Sequence, residues 1–263
     1  VKSVDELLDI ARRAVGLGYD TLLNMAPGEV RHKSDRDTVT EVDLKIETDV
    51  RDFLSRVTPE AAFLGEEQGG QVDLNGDQDV WTLDPVDGTS NFAHGVPLCG
   101  VSLALIRNGR PIVGAIVAPF LGLRYHAAHE RGAFCNDRQI QVSKTTELSE
   151  AIVSIGDYAV GPSAATKNAR RIQLTTSLAE NVERVRMFGS AALDLAWVAE
   201  GRTDATIILS NKPWDTAAGV LLAREAGAFV IDAGNTPHSI TSTETIAVTP
   251  GVADSLLELV PRT

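Results

Sequence analysis

The chain has 263 residues with 36 acidic against 24 basic side chains, a net charge of −12, and a composition 43% hydrophobic and 23% charged. That length can bury a large core, as one domain or as two packed subdomains; the balance excludes disorder, and the negative charge argues against a nucleic-acid surface, which needs clustered Lys and Arg. No apolar run approaches the roughly 20 residues of a membrane span, residues 1–6 lack a signal-peptide plan, and Cys99 and Cys135 are too few for a disulfide framework or a zinc quartet, so a cytoplasmic protein with no membrane or nucleic-acid partner is expected.

Residues 4–25 place Val4, Leu7, Leu8, Ala11, Val15, Leu22 and Leu23 close to the i, i+3, i+4 spacing of an amphipathic helix. After Pro27 and Gly28 a polar strand-like or loop segment runs to Thr38. A second helix is predicted from Thr40, whose side chain can cap it with Asp43 three residues on, through Ile46, Val50, Phe53 and Leu54. Strands follow at 61–64, 80–83, 100–106 and 111–118, the last two joined by Asn108-Gly109, a hairpin signal. Gly122 and Asn136-Asp137 mark further turns. Beyond 150, strands at 151–155, 185–188, 205–209, 228–231 and 245–248 alternate with helices within 163–180 and at 190–200, 215–226 and 251–260. The first part, 1–150, is therefore expected to be antiparallel sheet flanked by two helices, and the second, 151–263, an α/β subdomain. No linker separates them, so one continuous fold is expected, with the site where the parts meet.

The run from Trp81 to Phe92 ends an apolar strand with Asp84-Pro85-Val86-Asp87-Gly88. Two carboxylates on one turn, with the Val86 carbonyl beside them, are the hard oxygen ligands that Mg²⁺ and Mn²⁺ prefer. Gly88 allows close backbone approach, and the amides of Gly88, Thr89 and Ser90 could form an anion-binding turn. The ordinary alternative is a surface turn, since Asp-Pro and Asp-Gly are both turn signals. Glu66 stands at a second strand end, in Gly65-Glu66-Glu67, where one glutamate can face inward and its neighbour outward. Asp215 opens an Ala-rich helix after Trp214; a helix N-cap and a core tryptophan are the ordinary explanations. Gly189-Ser190-Ala191-Ala192 is a small-residue helix start, suited to a polar ligand group or to tight packing. A chain this acidic that bound a phosphate ester would need divalent cations to invert the local field.

Taken together, Gly65-Glu66-Glu67, the run from Asp84 to Phe92 and Trp214-Asp215-Thr216-Ala217-Ala218-Gly219 resemble the inositol monophosphatase family, in order and in separation. Thr40-Glu41-Val42-Asp43, Gly132-Ala133-Phe134-Cys135-Asn136 and Gly189-Ser190-Ala191-Ala192 are similar to further blocks of that family. The resemblance implies a layered α-β-α-β-α sandwich and a homodimer, with two or three Mg²⁺ per site (Mn²⁺ as an alternative) and inhibition by lithium. It implies that Glu66, Asp84 and the Val86 carbonyl hold one metal, and that Asp84, Asp87 and Asp215 hold a second, with Asp84 bridging. Asp43 and Thr89 would pair and, with Glu66, orient the attacking water. Asp87, Gly88, Thr89, Ser190 and Ala191 would meet the substrate, a small phosphorylated metabolite. The implied activity is hydrolysis of a phosphate monoester by direct attack of metal-activated water. The ungapped count from Asp215 puts Ile208 where inositol-preferring members carry a glutamate that touches a sugar hydroxyl, so the polyol partner is missing. Histidinol phosphate, sugar phosphates and nucleotides remain alternative substrates, and a regulatory dimer with vestigial catalysis remains an alternative of another class.

Overall fold

In chain order the elements are α1 (Val4–Asn24), β1 (Val30–Ser34), β2 (Asp37–Thr40), α2 (Glu41–Val57), β3 (Ala62–Gly65), β4 (Val80–Asp87), α3 (Thr89–Ala93), β5 (Gly100–Arg107) and β6 (Arg110–Ala118). There follow β7 (Leu123–Ala128), β8 (Ala133–Cys135), β9 (Arg138–Ile140), β10 (Ile152–Ile155), α4 (Ala164–Asn181), β11 (Arg184–Arg186), α5 (Ala191–Ala199) and β12 (Ala205–Ile208). The chain closes with α6 (Pro213–Glu225), β13 (Phe229–Ile231), β14 (Thr245–Val248) and α7 (Ala253–Leu257). The structure, a computed structural model, describes residues 2–34 and 37–261; within the polar segment ending at Thr38, Asp35 and Arg36 lie outside the described residues.

Two sheets carry the fold. The first has seven strands in the order β3-β4-β5-β6-β7-β8-β9, antiparallel except for the parallel β3–β4 pair. Its β5–β6 hairpin turns through Asn108 and Gly109, both at positive φ (50° and 72°), as a two-residue turn matched to strand twist requires. The second has five strands in the order β11-β10-β12-β14-β13, with parallel pairing at β10–β11 and β10–β12.

The stacking follows from which faces are apolar. One face of the seven-stranded sheet is covered by α1 and α2, through Leu7, Ala11, Ile46 and Val50 against Trp81, Leu103 and Val113. Its other face packs on α5 and α6, where Ala192, Leu193, Ala217 and Leu221 meet Ile106 and Ile116. The far sides of those helices, Leu195, Val198 and Val220, pack on Ile208, Val230 and Ala247 of the second sheet. That sheet's outer face takes α4 and α7 through Leu174, Leu178 and Leu256. The result is the α-β-α-β-α sandwich that the resemblance implied. Cys99 and Cys135 are free and buried, as small core residues.

Three expectations need adjusting. The helix predicted from Asp215 starts at Pro213, because proline at the first helical position loses no bond and presets φ. The strand predicted at 185–188 is β11, ending at Arg186, where its pairing with β10 stops opposite Ser154. The terminal helix predicted over 251–260 splits into a 3₁₀ turn at Pro250–Val252 followed by α7.

Candidate active site

An undistorted strand would turn Asp84 and Asp87, three residues apart, to opposite faces. The pairing of β4 with β5 slips between Asp84 and Asp87, a bulge at Pro85-Val86 that re-aims the chain. Both carboxylates are buried, and each lies in the field of Glu66. Asp84 Oδ1 accepts the Val86 N–H (3.0 Å), which closes the turn. Glu66 follows β3, its amide bonded to the Leu83 carbonyl (3.1 Å), so the parallel β3–β4 pair sets it beside Asp84. Asp215 reaches the same place from the first turn of α6.

Electrostatics show how closely these acids meet. Asp84 is held well above the usual carboxylate range, first by burial and then by Glu66, Asp87 and Asp215. Burial also pushes Asp215 up to about 7 and Asp87 to about 6, the latter against the pull of its hydrogen bonds to Ser190, Ala192 and Ala191. Among the described residues no three His, Cys, Asp or Glu side chains close into a tight ion cage; Asp87 and Asp215 line one cleft, with Asp87 turned onto helix α5. The donor set nonetheless fits a hard divalent ion: it is all oxygen and rich in carboxylates, and Asp84 Oδ1, Asp215 Oδ2 and Asp87 Oδ1 each keep a second lone pair beyond the bond they accept.

Asp43, fully buried at the start of α2, does two jobs. Its Oδ2 accepts the Thr40 N–H (2.9 Å) and the Thr40 hydroxyl, completing a capping box, while Oδ1 faces the Thr89 hydroxyl (3.1 Å). Burial raises its pKa, opposed by the bonds from Thr40 and Thr89. The Thr89 hydroxyl also lies 2.9 Å from the Val86 carbonyl. One hydroxyl proton serves one acceptor at a time, so Val86 and Asp43 compete for it. Gly88, at φ 86°, leads into α3, and a Cβ there would come within 2.8 Å of the Leu98 carbonyl, so only glycine fits.

The remaining sequence-predicted residues take different roles. Ser190 is the N-cap of α5, and its hydroxyl together with the Ala191 (3.1 Å) and Ala192 (3.0 Å) amides holds the Asp87 carboxylate. The positive end of α5 thus binds a carboxylate of the chain itself. Asp215 is the third residue of α6 rather than its N-cap: Lys212 occupies the cap, and its N–H donates to Asp215 Oδ2 (2.6 Å). Trp214 is only partly buried, because the helix begins before it and turns it toward the surface.

Several residues went unnoticed in the sequence. Glu47, fully buried on α2, accepts the Glu67 (2.8 Å) and Gln68 (2.9 Å) amides and pairs with Arg51 (2.9 Å), so it shapes the turn that carries Glu66. Asn91 donates to the Leu98 (2.8 Å) and Phe188 (2.7 Å) carbonyls and so ties α3 to the segment ahead of Ser190. A cleft of about 400 Å³ opens from Asp87 and Asp215 past Ile208 to Asp194, Lys167 and Arg171. Asp194 is buried on α5, its Oδ1 unpartnered and its pKa raised well above the ordinary value by burial. The signal for it was a single carboxylate in the apolar run from Ala191 to Ala199. A larger cavity, about 880 Å³, lies between the β5–β6 turn and α6. It contains none of the converging acids.

The model of the inositol monophosphatase family matches residues 4–262. An inositol-1-monophosphatase of Mesorhizobium japonicum is 37% identical over 252 residues, 96% of this chain and 92% of that protein. A protein named Nus factor SuhB from Xylella fastidiosa is 38% identical over 231 residues, 88% of this chain and 82% of its own. The solved structure of extragenic suppressor protein suhB from Bartonella henselae superposes with a TM-score of 0.90 at 31% identity, covering 97% of this chain and 98% of that one. Matched along nearly its whole length, the chain belongs to the inositol monophosphatase family and is by class a phosphoric monoester hydrolase.

Proposed function

We propose that the chain hydrolyses a small phosphate monoester with Mg²⁺ as its working metal. The support is the meeting of Glu66, Asp84, Asp87 and Asp215, from three separate elements, at one end of a cleft deep enough for a small metabolite. Glu66, Asp84 and the Val86 carbonyl would hold one ion, and Asp84, Asp87 and Asp215 a second. Bound Mg²⁺ supplies Lewis acidity, polarising the phosphoryl oxygens, making water a competent nucleophile near neutral pH and offsetting charge on the leaving oxygen.

The chain's own groups supply the rest. The Thr89 hydroxyl, when it donates to Asp43, turns its lone pairs outward, and with Glu66 it can accept from an attacking water and fix its direction. Asp43, already holding Thr40 through a rigid cap, keeps that hydroxyl in place. The amides at the first turn of α3 would meet the phosphoryl oxygens, and Gly88 would let the phosphate approach the backbone. Ser190 and the amides of Ala191 and Ala192 orient Asp87, so their part in substrate binding is indirect.

Phosphate release from a panel of monoesters, with and without Mg²⁺, tests the proposal; release from none of them at any Mg²⁺ concentration overturns it. A second possibility, a regulatory role with catalysis vestigial, draws on the relative named Nus factor SuhB. Every acid of the site is present here, which supports catalysis. Regulatory activity surviving Asp215→Asn while phosphate release is lost would show that the two roles are separable.

A further inference from the structure

Arg171 is out of place for a guanidinium. It lies on the inward face of α4 with Leu174 and Leu178 and is only 6% exposed. Buried cations are paired as a rule, because an unpaired one loses its hydration without return. In a chain with 36 acidic side chains, none forms an ion pair with it among the described residues; Glu244, whose field it feels, is taken by Arg170 at 2.5 Å. What Arg171 does face is the cleft, and Lys167, one turn earlier on α4, lines the same wall.

That wall is built rather than loose. The segment that roofs it is clamped to α4 by Asn168, which accepts the Ala159 N–H (2.7 Å) and donates to the Ala159 carbonyl (3.0 Å), and Tyr158 meets Thr175 at 3.3 Å. Asp157 and Asp194 also line the cleft, yet neither forms an ion pair with Lys167 or Arg171 among the described residues. The cleft is therefore bipolar. Asp87 of β4 and Asp215 of α6 line one end, with Asp84 buried behind them, and Lys167 and Arg171 line the wall formed by α4.

Taking the phosphatase assignment as its basis, we propose that Lys167 and Arg171 form a second anion subsite, so that the preferred substrate carries another phosphate or carboxylate besides the phosphate that is hydrolysed. Ile208 in the same cleft offers a polyol hydroxyl nothing, whereas a planar guanidinium with an ammonium beside it matches a phosphate or carboxylate oxygen pair. These are specificity residues; the bond cleaved and the water that attacks are unchanged.

Steady-state phosphate release with Mg²⁺ would compare a hexose 1,6-bisphosphate, 3-phosphoglycerate and glycerol 2-phosphate, whose alcohol part carries no charge. The wild type should prefer one of the first two over the last by tenfold or more in kcat/KM; the preferred one tells phosphate from carboxylate. Lys167→Met and Arg171→Met should each lower that preference about tenfold through KM, with Arg171→Lys between. Lys167 is exposed, so its variant will fold even if Arg171→Met does not. In an Asp84→Asn background, calorimetric titration of the same compounds reads binding without turnover, and a tenfold weaker Kd for the doubly anionic compound alone should accompany each Met variant. Equal affinity for singly and doubly anionic compounds, or variants that weaken both alike, overturns the subsite. No phosphate release from any compound overturns the phosphatase assignment instead, and the titrations still decide the subsite.

Discussion

Glu47→Ala is the substitution whose consequence the structure defines most fully. The side chain is fully buried and makes three contacts: two accept the backbone amides of Glu67 and Gln68, and the third pairs with Arg51. Alanine leaves two part-buried N–H groups without their acceptors, at about 1–3 kcal/mol each. Arg51 keeps 31% of its side chain exposed and its stacking on Phe63 at 4.4 Å, so losing its partner adds no more than about 1 kcal/mol. The expected loss is about 3–6 kcal/mol, a large share of an ordinary domain's stability. At this chain length that lowers Tm by about 10 °C. Glu47→Gln keeps one carbonyl acceptor and should lose about half as much. Because the amides sit in the turn that carries Glu66, Glu47→Ala should also raise the Mg²⁺ concentration for half-maximal phosphate release by about tenfold, the usual effect of removing a group behind a ligand. Urea unfolding of the three proteins, followed by a Mg²⁺ titration, makes both measurements. A stability loss below about 1 kcal/mol for Glu47→Ala would refute the assignment of Glu47 as anchor of that turn.

Gly65→Ala attacks the same contact from the other side: an added Cβ would lie 2.3 Å from the Glu47 carboxyl carbon, so a drop in urea midpoint comparable to Glu47→Gln is expected, and a neutral effect would contradict the packing. Asn91→Ala removes donors to the Leu98 and Phe188 carbonyls and should cost about 2 kcal/mol in the same assay. Asp84→Asn should reduce turnover more than Asp43→Asn, whose cost is on the order of 10- to 100-fold, since Asp84 lies among the other acids and Asp43 acts through Thr89; equal turnover at saturating Mg²⁺ would reverse that order. His238, 7% exposed and bonded to Thr245, has its pKa pushed from 6.5 down to about 4, first by burial and then by Arg224, with Asp232 opposing. Between those values the unfolded chain takes up a proton that the folded chain refuses, so this group's contribution is full above 6.5 and lost on acidification toward 4, up to about 3 kcal/mol. The stability gap between wild type and His238→Gln should therefore change by about 2 kcal/mol between pH 7 and pH 4.5, most of that amount, and a gap that does not vary with pH would rule out the buried neutral imidazole.

The residues legible in the sequence were those whose local chemistry already pointed somewhere. The Thr40–Asp43 capping box needs only a spacing of three, and the structure bears it out. The Asn108-Gly109 hairpin is equally local, because only such residues tolerate two consecutive positive φ angles. The start of α6 is predicted two residues late, at Asp215, although Pro213 marks the first helical position more firmly than Asp215 marks a cap. The bulge between Asp84 and Asp87 was not legible, because it depends on how β5 pairs with β4, and that is decided by a strand more than ten residues away.

Asp194 and Arg171 were hidden for a different reason. A helix on a protein surface announces its inward face by period, but α5 lies between two sheets and is apolar nearly all round. Its sole carboxylate therefore looks like an interruption until the second sheet is laid against it, with Ser154 and Thr206 paired in register on β10 and β12 and their hydroxyls unpartnered, as is Asp194 Oδ1. Arg171 inverts the usual expectation on α4: its spacing to Leu174 and Leu178 is that of a core residue, while its chemistry is that of a surface one. A sequence-based assignment must choose between those two, and either choice alone misleads. Burial along an apolar stripe is compatible with a charge where that charge is paired or reaches a cleft, and Arg171, unpaired among the described residues, lines the cleft beside Asp87 and Asp215, so its conflict bears on the site as well as on the fold.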